Sequence, residues 1–106
     1  MGFKTKVRKI KGTPVLGIAG EFAGENASRA AVILDEMRTS SDAGSAVDLK
    51  RTTFIDSVGL GVFVYCWRLL ENDNRSMFFV GPQGFVLKMF QSTSLDKVFK
   101  VVDELD

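Results

Sequence analysis

The feature that most constrains the fold is a long apolar segment in the middle of the chain. It covers residues 58–71 and reads VGLGVFVYCWRLLE. A helix that is apolar on nearly every face is expected to be mostly buried. We therefore predict a buried helix from Ser57 to about Glu71, in which Phe63, Tyr65 and Trp67 pack in the core. The alternative for Trp67 is an exposed position that anchors a partner.

Shorter apolar runs on either side of this helix predict strands. They cover residues 3–11, 15–19, 45–49, 77–80 and 98–102, with a turn at 12–14 and loops at 20–24 and 39–44. Helical spacing of apolar residues begins near Asn26, a candidate N-cap, and a third helix runs from Pro82, at its first position, towards Ser92. The order β-β-α-β-α-β-α-β predicts an α/β fold with a mixed sheet of about five strands and about three to four helices.

Length and charge predict one domain, residues 1–106, that binds neither nucleic acid nor membrane. The chain carries 14 basic and 13 acidic residues, for a net charge of +1, whereas nucleic-acid binders usually show a basic excess. Lys4, Lys6 and Arg8 alternate along the first strand and are expected to line its solvated face, with an RNA- or membrane-binding patch as the alternative. No signal peptide or membrane-length apolar stretch is present in the sequence, which predicts a cytoplasmic protein.

The composition also argues against most enzyme classes. Histidine is absent, so Ser-His-Asp and Cys-His catalysis and the usual zinc-ligand sets are excluded. The single cysteine, Cys66, lies in the apolar helix and is expected to be a small core residue. Asp48 and Asp56 stand on separate segment ends, and nothing pairs them for acid–base chemistry. We expect no enzyme activity, no cofactor and no metal site.

The most informative stretch is residues 48–61, which reads DLKRTTFIDSVGLG and joins a strand to the buried helix. Ser57 lies at the helix N-terminus, where unpaired N–H groups and the helix dipole favour an anion such as phosphate. Gly59 and Gly61 lack Cβ atoms, which allows close approach of a neighbouring surface. The structural alternative is that Asp56 or Ser57 is simply the N-cap. The dinucleotide fingerprint lacks its third glycine, because Val64 occupies that position, and this leaves only weak nucleotide binding open.

The segments VDLKRTTFIDSVGLGVFV and FFVGPQGFVLKMFQSTSLDKVFKVVD resemble the STAS domain family over nearly the whole chain. The resemblance is strongest to the stand-alone bacterial anti-sigma factor antagonists, and it implies a single STAS-type domain. It also implies that Ser57 is phosphorylated. In this family the unphosphorylated form binds an anti-sigma factor that is also a serine kinase with a histidine-kinase-like ATPase fold. Binding releases a sigma factor, phosphorylation switches binding off, and a phosphatase resets the cycle.

The resemblance further implies a partner-binding surface around the motif. Its expected members are Asp56, Ser57, Val58, Gly59, Gly61, Glu21 and Phe22. The sequence departs from the family pattern at and beside this surface. Val58 stands where many relatives have Ser or Thr, although the acceptor Ser57 is present, and Ala23 follows Glu21 and Phe22 where relatives often have Asp. The departure at Ala23 leaves the partner's identity open, because this loop often helps to contact the partner in the family. The alternative function is a STAS scaffold or partner-switching module that regulates a target other than a sigma factor.

Overall fold

A computed structural model describes residues 2–105 of the chain. The elements follow the predicted order, with one short 3₁₀ helix added before the last strand. The strands are β1 (Lys4–Ile10), β2 (Thr13–Phe22), β3 (Ser45–Ile55), β4 (Met77–Val80) and β5 (Lys100–Val102). The helices are α1 (Gly24–Thr39), α2 (Ser57–Asn72) and α3 (Gly84–Ser92), and the 3₁₀ helix is Leu95–Lys97. The predicted α/β class is confirmed.

The five strands form one mixed sheet in which spatial order equals chain order. β1 and β2 form an antiparallel hairpin, whereas the β2–β3, β3–β4 and β4–β5 pairs are parallel. Parallel neighbours need a crossover connection, and α1, α2 and α3 supply the three connections. The C-terminal ends of β2, β3 and β4 therefore lie together, and we call this region the carboxyl end of the sheet.

The three helices pack against one face of the sheet. The main core cluster joins side chains of all three helices to β2, β3 and β4. At its centre Phe63 of α2 stacks on Phe22 with ring centroids 4.5 Å apart and meets Phe79 edge-on at 5.1 Å. A second, smaller cluster of Val15, Ala46 and Val80 lies apart from the helices. It marks the opposite face of the sheet, which we call the open face.

The predicted strands at 15–19 and 45–49 are too short. β2 continues to Phe22 and β3 to Ile55, so the predicted loop at 20–24 begins only after Phe22. The two strands stay paired to their ends, with Glu21 opposite Phe54 and Phe22 opposite Ile55. The register between β2 and β3 shifts between Gly17 and Ala19 and again between Gly20 and Glu21, as at β-bulges. The last strand is shorter than predicted and begins at Lys100.

Two predicted helix starts and part of the predicted burial are wrong. The cap position of α1 is Ala23 rather than Asn26, whose side chain instead donates to the Glu21 carbonyl at 3.2 Å. Pro82 precedes α3 by two residues, because Gln83 is its cap position. On α2, Tyr65 is 62% exposed instead of packing in the core. This follows from the single helical layer, which leaves each helix with an outward side.

Candidate functional site

The candidate site lies at the carboxyl end of the sheet, where β3 ends and α2 begins. Asp56 occupies the cap position of α2, and its Oδ1 accepts a hydrogen bond from the Gly59 N–H at 2.9 Å. Its Oδ2 accepts a second hydrogen bond from the Gly24 N–H at 3.0 Å. One carboxylate therefore satisfies an otherwise unpaired N–H in the first turn of both α1 and α2. Of the two capping alternatives, the one that assigns the cap to Asp56 is confirmed.

Ser57 is the first residue of α2, and its side chain is exposed to solvent. Because Asp56 makes the cap, the alternative in which Ser57 is the cap is wrong. Within residues 2–105 the Ser57 hydroxyl has no hydrogen-bond partner of its own. Val58 is 42% exposed beside it. Gly61 is exposed one turn further on, and a Cβ built there would meet no atom within 4 Å. These three residues form an open surface at the start of α2.

Two residues expected to contact a partner lie inside the domain. Gly59 is buried, and a Cβ placed on it would lie 2.8 Å from Ile55 Cγ1 and would collide with the Phe22 carbonyl. Gly59 is therefore needed for close packing of α2 on β2 and β3, and the surface that approaches it belongs to the protein itself. The Phe22 side chain is fully buried and stacks on Phe63. Both residues support the exposed surface from beneath.

Glu21 and an aromatic pair also lie at the carboxyl end of the sheet. The register of β2 and β3 sets Glu21, which is exposed, opposite Phe54. Phe54 stacks on Phe85 of α3 with ring centroids 5.1 Å apart and an interplanar angle of 6°. Both rings are partly open to solvent, with Phe54 at 38% and Phe85 at 43% exposure. The sequence interpretation missed this pair, since the two residues are far apart in the chain and Phe54 was expected to follow the end of a strand.

The remaining residues singled out in the sequence lie away from this surface. Cys66 is buried in the core, and desolvation raises the pKa of its thiol to about 11. Trp67 is partly buried and packs against Phe99 at 5.9 Å, as expected for a core residue. Asp48 forms an ion pair with Arg8 at 3.1 Å on the open face. Asp48 and Asp56 therefore have separate partners and do not form an acid–base pair.

Among residues 2–105, no group of three or more histidine, cysteine, aspartate or glutamate side chains could hold a metal ion. In the same range, none of the helices combines the length and the apolar character needed to cross a membrane.

The sequence and the fold are similar to those of several known proteins. The anti-sigma-B factor antagonist of Listeria monocytogenes is 24% identical over 84 residues, which is 79% of this chain and 74% of that protein. An anti-sigma factor antagonist from Mycobacterium paratuberculosis has a similar structure, with a TM-score of 0.85 and 24% identity over 99% of this chain and 89% of that one. The phosphorylated form of the Bacillus cell fate determinant SpoIIAA has a TM-score of 0.72 and 19% identity over 97% and 93% of the two chains.

The sequence also matches a protein-family model, which is described as the STAS domain. The match covers residues 4–106. That match spans every strand and helix of the structure, including the capped start of α2. The chain belongs to the STAS domain family.

Proposed function

We propose that this chain is an anti-sigma factor antagonist that works by partner switching. Its unphosphorylated form binds an anti-sigma factor that is also a serine kinase with a histidine-kinase-like ATPase fold, and a sigma factor is released. The kinase then phosphorylates Ser57, which ends the binding, and a phosphatase removes the phosphate. The names of the similar proteins support this role, and so does the position of Ser57.

The observation that carries the proposal is the exposed Ser57 at the start of a helix that another residue already caps. A hydroxyl that caps its own helix would have to give up a hydrogen bond before a kinase could modify it. Here Asp56 makes the cap through its bond from the Gly59 N–H at 2.9 Å, and Ser57 is left free to react. A phosphate added at this point would lie where the helix dipole favours negative charge.

The surface proposed to meet the kinase consists of Ser57, Val58 and Gly61 on α2, together with Glu21 near the end of β2. Val58 supplies apolar area, and Gly61 lets a partner's backbone approach the helix closely. Three further residues are proposed to contribute indirectly, because they fix the position of the first turn of α2. They are Asp56, Gly59 and Phe22.

Phosphorylation is proposed to change the surface and leave the fold intact. A phosphoserine carries about −1.5 to −2 charges near neutral pH. It would stand next to the carboxylate of Asp56, with Glu21 on the neighbouring strand, so a partner with acidic groups would be repelled. The added bulk would also separate the partner from the first turn of α2.

This function makes the chain a regulatory binding protein, with residues 1–106 acting as one STAS domain and no cofactor of its own. We propose that it works in the cytoplasm, because anti-sigma factors act on the sigma subunit of RNA polymerase. The regulated target stays a prediction until the partner is known. A scaffold that controls a different target would use the same fold.

The test compares the wild type with Ser57→Ala and Ser57→Asp. Each tagged protein is used to capture partners from cells that encode the chain, and any ATPase-fold kinase is then purified and incubated with the wild type and ATP. We expect the wild type and Ser57→Ala to bind the kinase, Ser57→Asp to lose it, and phosphate to map to Ser57. Gln91→Glu, which adds one negative charge at an exposed position near the far end of α3, is the matched control and should bind normally.

Two results would contradict the switch. If Gln91→Glu weakens kinase binding as much as Ser57→Asp does, the effect is a general charge effect and not one of the site. If all variants bring down the same partners and Ser57 is never modified, the chain is a constitutive scaffold.

A further inference from the structure

A groove of about 520 Å³ lies on the open face of the sheet, along β2. Its floor is made by Gly17 and Ala19 of β2, which have little or no side chain. The strand register sets Lys6 of β1 beside Gly17 and Lys4 beside Ala19, with Arg51 of β3 on the other side of Ala19. Long side chains on the two flanking strands, β1 and β3, and very small ones on β2 between them create the concave shape.

The walls of the groove are strongly basic. Five of the lining side chains are cationic and one is acidic, an excess of four positive charges in a chain whose net charge is only +1. The rest of the molecule is therefore net negative, and the positive potential is concentrated at this face. The cationic residues are Lys4, Lys6, Arg8, Lys50 and Arg51.

Three of these cations have no acidic partner among residues 2–105. Arg8 forms an ion pair with Asp48 at 3.1 Å, and Lys50 forms one with Glu104 at 2.9 Å. No ion pair within residues 2–105 involves the other three, which are Lys4, Lys6 and Arg51. They surround the Gly17–Ala19 floor, so the uncompensated charge lies where the groove has room.

We propose that this groove binds a compact anion that carries two or more linked phosphate groups. Lys4 and Lys6 lie two residues apart on one strand, about 7 Å along it, and Arg51 lies two strand spacings away, about 10 Å across. Flexible lysine side chains and a guanidinium at these separations can converge on neighbouring phosphates, and Arg suits bidentate contact with phosphate oxygens. A free polyphosphate and the phosphate chain of a nucleotide share this chemistry.

The first test measures binding of inorganic pyrophosphate by NMR titration and calorimetry at about 0.1 M salt, where long-range charge effects are largely screened. We expect saturable shifts at Gly17 and Ala19. Lys4→Gln combined with Arg51→Gln should weaken binding about tenfold or more, because charged hydrogen bonds to the phosphates are lost. The matched control, Lys88→Gln combined with Lys97→Gln, removes two positive charges from exposed positions outside the groove and should change affinity less than about twofold.

A second variant tests whether binding requires the shape of the groove or only its positive charge. A Cβ at Gly17 would lie 3.6 Å from the Lys6 carbonyl oxygen and 3.7 Å from an Arg8 guanidinium nitrogen, which are ordinary contact distances. Gly17→Val should therefore fold, since Val suits strands, yet fill the floor of the groove while every charge remains. We expect it to abolish pyrophosphate binding. Unchanged binding by Gly17→Val, or equal weakening in the lysine control, would overturn the proposal.

Two further ligands identify the source of the phosphates. If ATP binds no better than inorganic triphosphate, the phosphate chain alone is recognised. If ATP binds at least about tenfold tighter, the groove holds a nucleotide; both results support the phosphate site. If a short poly-glutamate peptide competes as well as pyrophosphate at equal charge, the groove accepts acidic protein segments, and the proposal is wrong.

Discussion

Asp56 accepts a hydrogen bond from the backbone N–H of Gly24 at 3.0 Å, across 32 positions of the chain. Its other oxygen accepts from the Gly59 N–H at 2.9 Å. The same carboxylate thus fixes the first residue of α1 and the first turn of α2. The position of the proposed switch residue, Ser57, therefore depends on a contact between two helix starts that are remote in sequence.

Two substitutions of Asp56 should distinguish the contributions of these two hydrogen bonds to the free energy of unfolding. Asp56→Ala removes both and is expected to lower the free energy of unfolding by about 2–3 kcal/mol. Asp56→Asn keeps an oxygen that can accept from Gly59, but its amide group cannot accept from Gly24, so about half of that loss is expected. Urea denaturation of the three proteins measures the difference. Equal stability of the Asn and Ala variants would show that the Gly59 bond contributes nothing.

Replacing either of the two glycines of α2 by alanine should change the stability of the protein, but in opposite directions. Gly59→Ala places a methyl group against Phe22 and Ile55 and should destabilise the protein by about 1–3 kcal/mol through overpacking. Gly61→Ala meets open space and should stabilise α2 by up to about 1 kcal/mol, because alanine is the better helix former. Thermal and urea unfolding provide the measurement, and each variant is the control for the other.

The exposed ring stack of Phe54 and Phe85 should couple the end of β3 to α3. Its centroid distance of 5.1 Å predicts a coupling free energy of about 0.5–1.5 kcal/mol. The measurement is a double-mutant cycle of Phe54→Leu, Phe85→Leu and the double variant in urea. A coupling energy near zero would mean that the rings are neighbours without stabilising each other. Phe63→Leu, in the buried core, should cost more than either surface change.

The order of the elements could be predicted from the sequence because it depends on local patterns. The apolar runs and the spacing of Ala27, Ala30, Leu34 and Met37 are properties of single segments, and the structure buries all four residues. The motif around Ser57 likewise lies in one continuous stretch, so its place at the start of α2 was predictable.

Features that depend on remote contacts could not be predicted in this way. The ends of β2 and β3 are set by their mutual pairing as far as Phe22 and Ile55. The start of α1 is fixed by a hydrogen bond to Asp56, and the sequence near Asn26 gives no sign of that contact. The outward side of α2 was missed because Tyr65 is as apolar in pattern as its buried neighbours. The structure places Tyr65 on the outward side of the single helical layer, where it is exposed.

The buried thiol of Cys66 should make stability depend on pH in alkaline solution. Desolvation raises its pKa from an ordinary value of 9.0 to about 11 in the folded protein. Between these values the unfolded chain has lost the proton that the folded chain retains, so stability is complete below pH 9 and falls as the pH rises towards 11. From pH 8 to pH 10 the wild type should lose about 1 kcal/mol more than Cys66→Ala. Parallel losses in urea unfolding would contradict the burial effect.

Charge at Ser57 should be tolerated by the fold even where it is expected to end partner binding. The Ser57 side chain is exposed and Asp56 makes the cap, so Ser57→Ala should change the free energy of unfolding by less than about 0.5 kcal/mol. Ser57→Asp places a negative charge in the first turn of α2 and should leave stability unchanged or raise it by up to about 1 kcal/mol. Raising the salt concentration should reduce that gain.

Ser57→Ala and Ser57→Asp also show whether Ser57 acts as a switch residue or has a structural role. Urea unfolding at low and high salt gives their stabilities, and Gln91→Glu serves as the control for added charge near a helix C-terminus, where the dipole disfavours it. A loss of about 1 kcal/mol in Ser57→Ala would assign the hydroxyl a structural role that the capping geometry gives to Asp56. A large loss in Ser57→Asp would mean that phosphorylation acts by unfolding the start of α2, instead of by changing an intact surface.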